Sequence, residues 1–216
     1  EYGLLYWLMK RLQNDKDIDL QIVATGMHLS PEFGLTVKQI EQDEFQVNEK
    51  VEMLLSGDTA TAISKSIGLG VISFTDAFNR LNPDLIVVLG DRFEIFSAVQ
   101  TAMIMRIPVA HIHGGELTEG LIDDPIRHSI TKMSHLHFTA SEEYRKRVIQ
   151  MGEQPTNVYN VGTLGLEGIK NTNLLNQQAL SESIGFELEQ FFLVTLHPTT
   201  LEKSTAEAQI NILLEA

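Results

Sequence analysis

The chain has 216 residues, 43% of them hydrophobic, and it is long enough to bury a sizeable core. Its net charge of -13 comes without a run of Lys and Arg, which excludes a nucleic-acid surface because phosphate binding needs a clustered basic face. The absence of cysteine excludes disulfides, thiol nucleophiles and Cys-ligated zinc. The apolar runs are far shorter than the roughly 20 residues that span a bilayer, so we expect a cytoplasmic protein that does not bind a membrane.

The predicted elements alternate along the chain as in an α/β domain. An amphipathic helix opens the sequence, strand patterns follow in IDLQIVATG and EFQVNEKV, and a helix runs from about Thr59 to Leu81. The strand PDLIVVLG, the helix RFEIFSAVQTAMIMR and the strand IPVAHIH form a βαβ unit, which is typical of a parallel sheet. The alternation continues with the helix PIRHSITKMS, the strand LHFTA, the helix EEYRKRVIQMG and the strand NVYNVG.

The remainder predicts a connection and the start of a second domain. We assign residues 1–165 to a Rossmann-like domain and the polar, helical residues 166–190 to an interdomain connection. FFLVTLHPTT predicts a buried strand, and STAEAQINILLEA predicts a helix with a capping box of Ser204 and Glu207, so residues 191–216 begin a second domain. The first helix opens at Glu1 without an initiator Met or signal peptide, and we expect a chain that is truncated at both ends.

Polar side chains follow four predicted strands, where open α/β sheets bind their ligands. They are His28, the Gly90-Asp91-Arg92 turn, the HIHGGE segment and His197. Asp91 has a second interpretation, since it precedes a helix and has Glu94 three residues on, as an N-cap with its capping-box partner does.

Histidines and acidic residues are dense between Ala110 and Phe138. His111 and His113 are two residues apart on a strand, which places them on one face in the spacing of a metal chelate, although imidazoles at strand ends are commonly only hydrogen-bonded. His135 and His137 repeat the spacing, and we interpret them as structural.

The segment DDPIRH predicts a helix N-terminus. Pro125 suits the first helical position and Asp124 the cap, which leaves Asp123 free, with Arg127 and His128 one turn on. The alternative is a well-capped helix with an internal ion pair. No P-loop, G-x-G-x-x-G, H-E-x-x-H or G-x-S-x-G motif is present. The carboxylates, imidazoles and arginine at the predicted strand ends instead indicate general acid/base chemistry on a polar, phosphorylated substrate.

In order and spacing, the segments EYGLL, GMHLSPEFG, VVLGDRFE, HIHGGE, IDDPIRHSITKMSHLHF and LVTLHPTT resemble the hydrolysing UDP-N-acetylglucosamine 2-epimerases of sialic-acid-type sugar pathways. The resemblance covers essentially the whole chain. It implies a glycosyltransferase-B-type fold, in which two Rossmann-like domains enclose the active site. It also implies an enzyme without cofactor or metal that acts as a homo-oligomer, either a dimer or a tetramer.

The resemblance implies a two-step reaction on UDP-N-acetylglucosamine. UDP leaves C1 as the C2 proton is removed, and water then adds to the glycal to give N-acetylmannosamine. The matched catalytic positions are Asp91, Glu116, Asp123 and His197. The matched substrate-binding positions are Glu1, His28, Arg92, His111, His113, Asp124, Arg127 and His128. Many relatives have Glu where this chain has His113, so either His113 or Glu116 supplies the second proton-transfer group, and we favour Glu116.

Four alternatives stay open, and the first is a non-hydrolysing epimerase. A UDP-linked 6-deoxy diacetamido sugar is a second candidate substrate for the same reaction. A metal-dependent hydrolase would use His111 and His113 with a carboxylate to activate water. A nucleotide-sugar sensor or inactive paralogue would bind without turnover. For the epimerase, we expect the 216-residue chain alone to be inactive, because the resemblance puts the uridine contacts outside it.

Overall fold

A computed structural model describes residues 1–197 and 206–215 as an α/β fold with parallel sheets. Its strands are β1 (Ile22–Thr25), β2 (Val47–Val51), β3 (Ile86–Leu89), β4 (Val109–Ile112), β5 (Leu136–Thr139) and β6 (Val158–Asn160). Its helices are α1 (Tyr2–Gln13), α2 (Val37–Gln42), α3 (Ala60–Leu81), α4 (Phe93–Met105), α5 (Asp123–Met133), α6 (Glu142–Gln150), α7 (Leu164–Asn171), α8 (Gln177–Ile184) and α9 (Ala206–Glu215). Each helix and strand predicted up to residue 160 is confirmed, and α2 adds to them.

The strands pair in parallel, as the βαβ pattern predicts, but they form two sheets in the described part of the chain. β1 pairs with β2, and the larger sheet has the order β3-β4-β5-β6. Val88 of β3 pairs with His111 of β4, which pairs with His137 of β5. All four strands of the larger sheet therefore present their carboxyl ends at one edge.

The core lies between this sheet and the helices α3, α4 and α5. Val99, Val109 and Ile130 are completely buried there, and burying such a side chain contributes about 1.5–3 kcal/mol. α3 begins where the Thr59 hydroxyl accepts a hydrogen bond from the Ala62 amide at 3.2 Å. This buried core thus fixes the strands whose carboxyl ends form the edge of the larger sheet.

The first helix packs more loosely than its apolar pattern predicts. α1 has no fully buried residue, and it rests on α7 and on an aromatic cluster. Tyr6 and Phe45 meet edge to face with ring centroids 5.8 Å apart, and Lys10 lies 4.5 Å from the Phe45 centroid. α1 is therefore fixed to the fold by aromatic and cation–π contacts.

The predicted strand in FFLVTL is wrong. Residues 191–197 form neither helix nor strand, and Phe192 is 97% exposed. A buried strand needs a partner for its backbone groups, and neither sheet in the described residues includes this segment. The helix expected beyond it is confirmed as α9, whereas Ser204 of the predicted capping box lies outside the described residues. The division into domains stays a prediction.

No helix in residues 1–197 and 206–215 combines the length and the apolar character that a membrane span requires.

Candidate active site

The candidate site begins at the turn that follows β3. Gly90 has φ of 78°, a left-handed conformation that glycine adopts without strain, and its amide donates to the Ile112 carbonyl at 3.0 Å. The chain leaves the sheet here, and the Asp91 carboxylate forms an ion pair with Arg127 of α5. The turn therefore brings Asp91 to the helix that carries the DDPIRH motif.

Arg127 is the centre of this site. It is only 7% exposed, and its Nη2 pairs with Asp91 while its Nη1 lies 3.4 Å from Glu116 Oε2. Nη1 also donates to the His113 carbonyl at 2.9 Å, and Nη2 lies 3.4 Å from the Thr118 hydroxyl. One buried guanidinium thus holds Asp91 and Glu116, two of the predicted catalytic residues, on either side of it.

The Asp91 carboxyl has a raised pKa. Burial is the largest cause, and the nearby Asp123 and Glu116 add to it, while the positive charge of Arg127 lowers the pKa in opposition. The raised pKa brings the Asp91 carboxyl closer to the range in which a general acid or base works than a free aspartate is.

The capping interpretation of Asp91 is wrong. Arg92, not Asp91, occupies the N-cap position of α4, and no side chain bonds to the helix there. Glu94, the expected capping-box partner, accepts hydrogen bonds from Arg92 at 3.1 and 3.2 Å. The Asp91 carboxylate is therefore not used to start the helix.

The start of α5 differs from its prediction. Ile122 is the N-cap residue and Asp123 the first helical residue, so the assignment of the cap to Asp124 is wrong. Asp124 instead accepts a hydrogen bond from the Thr118 amide at 2.9 Å, which ties the loop after β4 to the helix. Asp123 is half-buried and close enough to influence the pKa of both Asp91 and Arg92.

His111 lies behind the site and is completely buried. Its Nε2 is 2.8 Å from the Gly90 carbonyl, which only accepts, so Nε2 carries the proton and Nδ1 accepts from the Thr131 hydroxyl at 3.2 Å. Burial lowers the pKa of His111 to about 3, and the ring is neutral at pH 7. Both nitrogens are used in hydrogen bonds within the fold, and the bond from Nε2 holds the Gly90 turn in place.

His113 does not share the strand face of His111. β4 ends at Ile112, and His113 has φ of 63°, which turns its ring towards Glu116 with Nδ1 3.5 Å from Oε1. Burial lowers the pKa of His113, while Glu116 raises it. The predicted chelate of His111 and His113 is therefore not formed. No group of three or more potential ligands suited to a metal ion is found among the described residues.

A second group of predicted residues gathers around Arg92. Its Nη2 lies 3.3 Å from Met27 Sδ, and its Nε is 3.8 Å from Glu1 Oε1. His28 follows Met27, and its Nδ1 is 2.7 Å from the Thr36 hydroxyl. Burial lowers the pKa of His28, whose charge would interact with Glu1 and Arg92. These side chains lie at the carboxyl end of β1, next to the Asp91 turn.

Two predicted residues lie apart from both groups. His128 Nε2 is 3.7 Å from Asp124 Oδ2, and its side chain borders a groove with Phe96 and Met151 on another side of α5. His197 is exposed, and no hydrogen bond or ion pair joins it to another residue in 1–197 or 206–215.

Sequence reasoning missed the two threonines that organise the site. Thr131 lies one turn after Arg127 on the same face of α5 and bonds to His111, while Thr118 contacts both Arg127 and Asp124. The i+4 spacing from Arg127 was a usable signal for Thr131. Thr118 lies in a loop and offered none.

Comparisons with known proteins agree on one family. A family model described as UDP-N-acetylglucosamine 2-epimerase matches residues 10–216. The chain is 48% identical over its whole length to the GDP/UDP-N,N'-diacetylbacillosamine 2-epimerase (hydrolyzing) of Campylobacter jejuni, of which it covers 56%. It is 43% identical over its whole length to the polysialic acid biosynthesis protein P7 of Escherichia coli, of which it covers 55%.

A solved structure shows the same fold. The UDP-GlcNAc 2-epimerase of Neisseria meningitidis, bound to UDP-GlcNAc, superposes with a TM-score of 0.69 at 20% identity, over 79% of this chain and 46% of that one. The expected Rossmann-like, glycosyltransferase-B-type fold class is thereby confirmed. The chain spans about half the length of the curated relatives it matches.

Proposed function

Because this chain belongs to the UDP-N-acetylglucosamine 2-epimerase family, we propose that the whole protein is a hydrolysing 2-epimerase of a UDP-linked 2-acetamido sugar. The observation that carries the proposal is the pair of carboxylates, Asp91 and Glu116, held on one buried guanidinium. Two proton-transfer groups at one site are what epimerisation at a carbon needs, since a proton leaves one face and returns to the other.

The proposed reaction has two steps. A carboxylate removes the C2 proton while the C1–O bond to UDP breaks, which gives a glycal and free UDP. Water then adds at C1 while C2 takes a proton on the opposite face. The sum is one substrate and one water converted to UDP and the free 2-epimeric sugar, N-acetylmannosamine when the substrate is UDP-N-acetylglucosamine.

The structure supports different roles for the predicted residues. Asp91 and Glu116 are the proposed proton-transfer groups, and the half-buried Asp123 is close enough to tune Asp91. Arg127 is occupied by both carboxylates and His111 is fully buried, which supports a positioning role for each in place of direct substrate contact.

The remaining predicted residues complete the proposal. Glu1, His28 and Arg92 are the proposed sugar and phosphate contacts at the end of β1, where Glu94 holds the Arg92 guanidinium in place. His113, Asp124 and His128 stay proposed substrate contacts, and His197 stays a proposed catalytic residue.

Two substrates remain within this proposal. The sequence resemblance favours UDP-N-acetylglucosamine, while the relative of 48% identity is named for N,N'-diacetylbacillosamine, whose UDP-linked form is a 6-deoxy diacetamido sugar. The proposal also includes a cytoplasmic location and a homo-oligomer. Light scattering measures the molar mass of the whole protein in solution and so tests the homo-oligomer.

The test is incubation of the whole protein with each UDP-sugar and NMR identification of the products. We expect UDP and a free 2-epimeric sugar from at least one substrate. A UDP-linked epimer as product, or no turnover of either substrate, contradicts the proposal. Activity that is lost with a chelator and restored by zinc would instead favour the metal-dependent hydrolase.

Glu116→Gln and His113→Asn separate the two candidates for the second proton-transfer group. We expect Glu116→Gln to lower kcat by about 10²–10⁴ and His113→Asn to lower it much less. The reverse order would assign the role to His113.

A further inference from the structure

Glu116 follows directly on a backbone turn that is wedged against a helix. Gly115 is buried, whereas Leu117 is 52% exposed, so the chain leaves the protein interior at Glu116. A Cβ on Gly115 would lie 2.5 Å from the Tyr144 carbonyl oxygen and 2.8 Å from Val148 Cγ2, which presses the turn against α6. This helix, which supplies none of the predicted site residues, is therefore in direct contact with the segment that carries Glu116.

Arg147 of α6 binds this turn through a single backbone group. Its Nη1 donates to the Gly115 carbonyl oxygen at 2.5 Å, and a hydrogen bond from a charged donor is about twice as strong as one between neutral groups. The Gly115 carbonyl belongs to the same peptide group as the Glu116 nitrogen, and a peptide group is planar. The bond to Arg147 therefore fixes the plane from which the Glu116 residue starts.

The Arg147 guanidinium is itself held in place. Its Nη2 pairs with Glu143 Oε1 at 3.0 Å, and its central carbon lies 5.7 Å from the centroid of the Tyr144 ring. The Glu143 side chain is 76% exposed, so this ion pair contributes little to stability by itself. The Arg147 side chain is only 22% exposed, and it is a fixed support for the turn.

The carboxylate of Glu116 is held less tightly than its backbone. Its Oε2 lies 3.4 Å from Arg127 Nη1, and its Oε1 lies 3.5 Å from His113 Nδ1. Both distances exceed the roughly 2.7–2.9 Å of a charge-assisted hydrogen bond. The position of the carboxylate therefore depends on the backbone that carries it, and this backbone is bound by Arg147.

Building on the proposed function, in which Glu116 transfers a proton at C2, we propose that Arg147 is a positioning residue for Glu116. By holding the Gly115 carbonyl, it keeps the Glu116 carboxylate within proton-transfer reach of the substrate. Proton transfer needs heavy atoms about 2.6–3.2 Å apart, and a misplacement of about 1 Å lowers the rate by about 10²-fold. Because Arg147 binds the turn and not the substrate, its loss affects kcat and leaves KM nearly unchanged.

Arg147→Met tests the assignment, because it removes the hydrogen bond to Gly115. The matched control is Arg145→Met in the same helix, where Arg145 is 29% exposed and donates to the Val158 carbonyl of β6 at 2.9 Å. Glu143→Gln is a second control that removes the ion pair of Arg147 and leaves the bond to Gly115. Circular dichroism and a thermal melt of the whole protein verify the folding of each variant.

We expect Arg147→Met to lower kcat by about tenfold or more, with KM for the UDP-sugar within about threefold of the wild-type value. Arg145→Met and Glu143→Gln should keep kcat within about twofold of the wild-type value. The decisive measurement repeats Arg147→Met in a Glu116→Gln background. A residue that acts only through Glu116 has little left to lose there, so we expect a further loss of less than about twofold.

Arg147→Lys keeps a positive charge and a donor, and its kcat should lie between those of the wild type and Arg147→Met. It takes the place of Arg147→Met in both backgrounds if the methionine variant does not fold. A wild-type kcat for these variants, or an equal loss in Arg145→Met, overturns the inference while the proposed reaction stands. The same factor of loss with and without Glu116 also overturns it, because Arg147 would then act on the fold as a whole. Only the lack of turnover by the wild type with both UDP-sugars overturns the reaction itself.

Discussion

Replacing Arg127 with methionine removes the buried cation between Asp91 and Glu116 and leaves a shorter, unbranched apolar side chain in its place. Breaking a buried ion pair by removing one partner costs about 3–5 kcal/mol, because the other charge stays buried without compensation. The Asp91 side chain is 20% exposed and that of Glu116 is 26% exposed, so water reaches both in part. We therefore expect Arg127→Met to lower the free energy of unfolding by about 3 kcal/mol, the lower end of this range.

The pH dependence of this variant has a defined sign. Arg127 lowers the pKa of Asp91, so its loss raises that already elevated pKa further. A carboxyl with a raised pKa in the folded state carries a stability penalty that is present above that pKa and disappears below its unfolded value near about 3.9. Arg127→Met is therefore expected to differ less from the wild type at pH 5 than at pH 7.

Urea denaturation followed by circular dichroism measures both effects. The double variant Asp91→Asn/Arg127→Met should be more stable at pH 7 than Arg127→Met alone, since it buries no unpaired Asp91 charge. Arg11→Met is the control, because Arg11 is 71% exposed in its ion pair with Glu167 and such pairs contribute about 1 kcal/mol or less. A loss below about 1 kcal/mol at pH 7 for Arg127→Met would show that the guanidinium does not stabilise a buried Asp91 charge, as would a loss that is the same at pH 5 and pH 7.

Three further predictions concern single positions. Asp91→Asn is expected to lower kcat by about 10²–10⁴ with little change in the circular dichroism spectrum, and near-normal turnover would remove Asp91 from catalysis. Gly115→Ala should destabilise the protein by more than about 1 kcal/mol, since Gly115 has φ of 80° and a Cβ would lie 2.5 Å from the Tyr144 carbonyl oxygen. In Gly168→Ala of α7 the added Cβ meets nothing within 4 Å, and this variant should be more stable than the wild type by about 0.5–1 kcal/mol. Equal changes of the two variants in a thermal melt would contradict this. The pKa of His111 is lowered to about 3, so its ring NMR signals should not titrate between pH 7 and 5. The neutral ring contributes its whole stabilisation above the unfolded pKa near about 6.5, and this stabilisation is lost as the pH falls towards 3.

The sequence was sufficient for the strands up to residue 160 and for the side chains that the structure brings together around Arg127. Period-two and helical patterns, punctuated by glycine and proline, located β1 to β6, and the rule that ligands bind at strand ends selected Asp91 and the HIHGGE segment. The family resemblance then favoured Glu116 within that segment. Arg127 was found because it lies one turn into a helix that starts at the same edge.

The errors have physical causes that local sequence does not contain. The FFLVTL pattern predicts a strand, but a strand forms only where another backbone completes its hydrogen bonds, and pairing is a tertiary property. His111 and His113 have the spacing of a chelate, yet β4 ends between them and the left-handed conformation of His113 turns its ring away. The capping role of Asp124 failed because the Thr118 amide, from a loop with no sequence signature, takes its carboxylate.

The central claim is that Asp91 and Glu116 exchange protons at C2 of a UDP-linked sugar that is then released by water. Turnover of the whole protein in D2O, followed by NMR of the released sugar, tests it most directly. We expect a free 2-epimeric sugar with one deuterium at C2, and no such product from Asp91→Asn at comparable times. A released sugar that keeps its original hydrogen at C2, or a deuterated product formed at the wild-type rate by Asp91→Asn, would contradict it.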